Sequence, residues 1–106
     1  MQHELRFTPE AIKQLDDLKR DNAKKGILKQ VLKTLGLLET NPRHPSLQSH
    51  EYHSLTTFFG VKVFEAYVQH KTPAAYRVFY HYGPHEQSKS GKRIPVITIV
   101  TITPHP

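Results

Sequence analysis

Two charged residues interrupt apolar runs in the second half of the chain: Glu65 within residues 61–69 (VKVFEAYVQ) and Arg77 within residues 74–82 (AAYRVFYHY). A carboxylate and a guanidinium are costly to bury unless they pair or do chemistry. With His105 they supply the residue types that metal-free RNA cleavage needs. A base removes the 2′-hydroxyl proton, a cation holds the charge developing on the phosphorane, and an acid protonates the departing 5′ oxygen. Tyr67 and Phe79 fall on the same face by alternation and suit the stacking of unpaired bases, which contributes about 1–3 kcal/mol per base. Lys62, Lys92 and Arg93 would hold flanking phosphates. The same residues also read as ordinary structure: a cross-strand ion pair adding about 0.2–1 kcal/mol, with Tyr67 and Phe79 as plain packing.

The elements that must position these groups follow from periodicity. Residues 61–69, 74–82 and 94–103 (IPVITIVTIT) read as three successive strands, the first two joined by a connection short enough for an antiparallel hairpin. That pairing sets Glu65 opposite or nearly opposite Arg77. Phe64, Ala66, Val68, Tyr76, Val78 and Tyr80 then share one face, while Val63, Glu65, Tyr67, Arg77, Phe79 and His81 share the other. The last strand is apolar on both faces, which suits a central position, and its antiparallel return would bring His105 toward Glu65 and Arg77.

Upstream, Leu5 and Phe7 alternate in a brief first strand. Thr8, Pro9 and Glu10 then form a helix start of N-cap hydroxyl, N1 proline and dipole-complementing acid. Ile12, Leu15 and Leu18 define one helix. Ile27, Leu28, Val31, Leu32, Leu35 and Leu38 define a second, stopped at Asn41-Pro42. The pair reads as an αα-hairpin whose apolar faces should pack on the Phe64/Val78 side of the sheet. Residues 43–60 (RHPSLQSHEYHSLTTFFG) show no period and read as a long surface connection. Its histidines, His44, His50 and His53, lack a cysteine partner and match no standard closed zinc site, so no metal or other cofactor is assigned.

The 106 residues make one domain with a single modest core, spanning 1–106. No cysteine, no run of about 18 apolar residues and no leader-like segment occurs, which points away from disulfides, a membrane span or secretion and toward the cytoplasm. Lys and Arg number 15 against 9 Asp and Glu, a formal charge of +6 that favours an acidic partner, nucleic acid or protein.

A short strand, an αα-hairpin opening with FTPEAIKQLDDL, Asn41-Pro42 after the second helix and a meander carrying Tyr-Arg-Val at residues 76–78 together resemble the RelE/ParE superfamily of type II toxin–antitoxin toxins. The resemblance spans nearly the whole chain. It implies an α+β fold in which the N-terminal strand and αα-hairpin pack on one face of a four-stranded, mainly antiparallel sheet, the helix-free face forming a cleft. It also implies a small acidic antitoxin protein as partner and, for the ribonuclease branch, messenger RNA on the ribosome as target. By the same resemblance Arg77 matches the arginine of the Tyr-Arg motif, Glu65 the charged residue of the preceding strand, and His105 the histidine or tyrosine after the last strand. The chain ends in Thr-Pro-His-Pro where many active members end in a tyrosine or a short helix. The ParE branch, which binds and poisons DNA gyrase, would leave Glu65 and Arg77 merely structural. A catalytically silent homologue that only binds a partner is the third possibility.

Overall fold

The structure, a computed structural model, describes residues 2–69 and 75–104. Strand β1 (Glu4–Phe7) leads into helix α1 (Pro9–Arg20), where the Thr8 side chain accepts a hydrogen bond from the Ala11 amide at 3.1 Å. This is the cap that the Thr-Pro-Glu start predicts. Asp21 caps a short 3₁₀ turn over Asn22–Lys24, and helix α2 (Lys25–Thr40) follows at once.

Beyond the helices come β2 (His50–Glu51), α3 (His53–Phe59), β3 (Phe64–Tyr67), β4 (Tyr76–Tyr82), the small hairpin β5 (Glu86–Gln87) and β6 (Arg93–Ile94), and β7 (Val96–Pro104). Five strands form the main sheet in the order β1-β7-β4-β3-β2, antiparallel throughout except where β1 runs parallel to β7. The expectation of four strands is corrected to five. Residues 43–60 are not a structureless connection: they hold a 3₁₀ turn at Pro45–Leu47, β2 and α3. The α3 segment, HSLTTFF, mixes β-branched and aromatic residues of modest helix propensity and is too short to show a period, so it leaves little trace in the sequence. Gly60 ends it at φ +73°, a left-handed cap whose N–H donates to Thr56 O at 2.9 Å.

The main core lies where alternation places it in the sheet and takes most of the two helical stripes, though Ile12 and Leu32, assigned to them by period, stay exposed. Ala11 and Leu18 of α1 and Val31, Leu35 and Leu38 of α2 pack on Ala66, Val78, Tyr80, Ile97, Ile99 and Ile102 of the sheet and on Val68 just past β3. Burial pushes the Tyr80 hydroxyl above the usual tyrosine range, partly offset by its hydrogen bond with Ser49. A second, smaller cluster occupies the opposite face, where Tyr52 and Leu55, at the start of α3, cover Val63, Phe79 and Val100. The face expected to be free of helices is therefore roofed at one end by α3.

β1 pairs with β7 only as far as Ile99, so the N–H edge of β7 past that point needs another partner. Gln14 of α1 provides it: Gln14 Oε1 accepts from the Ile102 N–H at 2.6 Å, and Gln14 Nε2 donates to Thr101 Oγ1 at 2.8 Å. A Gln14→Ala variant should lose about 1–3 kcal/mol of stability, the penalty of an unsatisfied, partly buried amide. Urea unfolding should show a lower midpoint with an unchanged m-value.

Candidate functional site

β3 and β4 pair with Glu65 opposite Phe79 and Tyr67 opposite Arg77. Glu65 and Arg77 are thus diagonal neighbours on one face, one pair further apart than direct opposition. Both are buried, Glu65 at 1 % exposure and Arg77 at 8 %. Arg77 Nε stands 3.8 Å from Glu65 Oε2, within ion-pair range but too long for a hydrogen bond, and this buried N–H makes none among the described residues. The guanidinium is fixed from its other side. Arg77 Nη1 donates to the Gln69 and Tyr76 carbonyls at 2.9 and 3.1 Å, and the guanidinium carbon lies 3.8 Å from the centre of the Tyr67 ring. Cation–π stacking of this kind holds a planar cation in one orientation.

The other oxygen of Glu65 is held by a residue that sequence reasoning weighed only as a zinc ligand. β2 sets His50 opposite Glu65, and His50 Nε2 lies 2.9 Å from Glu65 Oε1. His50 Nδ1 is 3.0 Å from the Gln48 carbonyl. The Gln48 backbone is left-handed at φ +44°, which is uncommon for a residue other than glycine. A carbonyl oxygen only accepts, so the contact with Gln48 places a hydrogen on Nδ1 of the imidazole. The His50 ring also meets Tyr67 edge-on, centroids 5.9 Å apart. Tyr67 thereby contacts both the guanidinium and the imidazole of the cluster. Nothing in residues 43–60 signals this, since a two-residue strand has no alternation to detect.

The remaining candidates divide. Phe79 is withdrawn as a base-stacking residue: it is 2 % exposed beneath Tyr52, ring centroids 5.1 Å apart and edge-on, so no ring face is open to a nucleotide. Lys62 is exposed just before β3. Lys92 and Arg93 are exposed at the far end of the sheet, where they line a groove against β1 with Glu4, Arg6 and Glu39. Arg77 pairs with Thr103, ten residues along the chain from Arg93, a separation on the order of 30 Å in an extended strand. These two cations do not join the cluster. His105 lies outside the described residues; β7 pairs with β4 up to Pro104 opposite Tyr76. The three loop histidines turn to separate partners, His44 to Ser46, His50 to Glu65 and His53 to Glu51. Among the described residues no group of three or more His, Cys, Asp or Glu is placed to hold a metal ion.

The family model for the ParE toxin of type II toxin–antitoxin systems, parDE, matches residues 5–102. The chain belongs to this family, within the RelE/ParE superfamily of toxins that the sequence resembles. Its fold is shared with a YoeB/ParE toxin from Agrobacterium tumefaciens, at 9 % identity and TM-score 0.66, covering 97 % of this chain and 99 % of that one. A YoeB dimer from Staphylococcus aureus is similar at 14 % identity and TM-score 0.59, and a YoeB–YefM complex from the same organism at 14 % and 0.57, each covering both chains fully. No curated protein matches the sequence. No helix among the described residues is long and apolar enough to cross a membrane.

Proposed function

We propose that this toxin is a metal-independent endoribonuclease that cuts messenger RNA on the ribosome. The supporting observation is the convergence of a carboxylate, a stacked guanidinium and an imidazole on one sheet face, with Glu65 between His50 and Arg77. Arg77 holds the charge that accumulates on the phosphorane. Glu65 is the carboxylate of the acid–base set, and His105 is assigned the proton that goes to the departing 5′ oxygen, by its place after the last strand. Lys62 meets flanking phosphate, and Tyr67 is assigned to stack an unpaired base. The toxin functions in the cytoplasm. The test is primer extension on messenger RNA after brief induction in cells. Discrete 5′ ends within translated codons support the reading, and intact messages overturn it.

The second reading, a toxin that binds and poisons DNA gyrase, is favoured by the family match itself and by the burial of Glu65 and Arg77, which suits a structural ion pair. Supercoiling assays with purified gyrase separate the two.

The partner in either case is a small acidic antitoxin. A fold relative has been solved in a YoeB–YefM toxin–antitoxin complex, and the +6 charge of this chain gives Coulomb attraction to an acidic partner. Affinity should fall as salt rises, measured by calorimetry at low and high ionic strength. A flat response would exclude an electrostatic mode of capture.

A further inference from the structure

The depth of Glu65 conflicts with a base that must touch a hydroxyl. Its carboxylate is almost wholly enclosed, whereas the side chain of His50, hydrogen-bonded to it, is 49 % exposed. The contact between His50 Nδ1 and the Gln48 carbonyl lies at the surface and spans only two residues, so a substrate oxygen can replace it without disturbing the fold. The contact at Nε2 is the enclosed one and stays. What remains is an imidazole aimed from behind by a buried carboxylate, with Nδ1 presented outward.

Resting on the ribonuclease reading, we propose that His50, in place of His105, is the general acid of this site and that Glu65 is a positioning residue acting through it. In the reaction the 2′-oxygen–phosphorus bond forms and the bond from phosphorus to the 5′ oxygen breaks, giving a 2′,3′-cyclic phosphate and a 5′-hydroxyl end. The 2′-hydroxyl proton passes to solvent. The Nδ1 proton of His50 goes to the departing 5′ oxygen, which leaves a neutral imidazole whose Nε2–H remains on Glu65. Tyr67 keeps the acid and the Arg77 guanidinium in register, since it touches both. This assigns the proton donor to β2, an element that the sequence reading treats as loop.

The experiment compares two messages on programmed ribosomes, one with ordinary linkages and one with sulfur in place of the 5′ bridging oxygen at the cut site. A thiolate departs without a proton, so loss of a general acid is bypassed on the second message alone. The expected result is that His50→Ala and His50→Gln slow ordinary cleavage by about a hundredfold or more, yet cut the sulfur-bridged message within a few-fold of wild type. Glu65→Gln should show the same selective rescue. His50→Gln can still donate to Glu65, so it reports on a folded protein should the alanine variant be unstable. Equal slowing on both messages, or no slowing on either, overturns the assignment of His50 while leaving the ribonuclease reading intact. Wild type that cuts neither message removes both.

Discussion

An Arg77→Ala variant is expected to cleave ribosome-bound message about a hundredfold more slowly, a loss of roughly 3 kcal/mol of transition-state stabilisation. Arg77→Lys should recover little of it. The guanidinium uses one nitrogen on two backbone carbonyls while its plane stacks on Tyr67. An ammonium has no plane to stack and cannot hold that orientation while facing a phosphate. Single-turnover cleavage by protein whose melting temperature is unchanged is the measurement. Full activity in folded Arg77→Ala would remove this residue from the chemistry and leave an ion pair of the sheet.

The second large effect belongs to Glu65. Glu65→Gln should lower cleavage a hundred- to ten-thousandfold, the usual range when an acid–base group or its orienting partner is lost. Stability behaves differently according to what replaces the carboxylate. Glu65→Ala strips Arg77 of its counter-charge in a nearly closed site and should cost about 3–5 kcal/mol, enough to threaten a small domain. Replacing both charges at once, as Glu65→Leu with Arg77→Met, should recover much of that loss, because apolar residues of similar volume often substitute for a buried ion pair without penalty. The double variant would then be folded and inactive. Urea unfolding beside cleavage assays distinguishes these cases, and an active double variant would overturn the catalytic role of the pair.

Much of this architecture is legible because local signals and long-range pattern agree. Thr8-Pro9-Glu10 announces α1, the spacing of Val31, Leu35 and Leu38 finds the buried stripe of α2, and alternation assigns Glu65, Tyr67 and Arg77 to one face. Alternation says which side a residue takes but not what covers that side, and so Phe79 reads as an open platform when Tyr52 lies on it. His50 escapes because its partner is fifteen positions away through an edge strand too short to have a pattern. Lys92 and Arg93 mislead for another reason. The apolar run from residue 94 reads as one strand, but Pro95 divides it, and the cations belong to the small β5–β6 hairpin at the other end of the sheet.

The strand order has a consequence for when this toxin becomes dangerous. β7 lies between β1, from the beginning of the chain, and β4, and it supplies Ile97, Ile99 and Ile102 to the core beneath the helices. Contacts this distant in sequence form slowly and late. A nascent chain that has emerged only as far as the β5–β6 hairpin lacks β7, the strand that joins β1 to the rest of the sheet. Translation must pass Pro104 before the fold can close. Every round of synthesis thus has an interval in which the polypeptide is present and its folded surface is not, and in which an antitoxin can already be waiting.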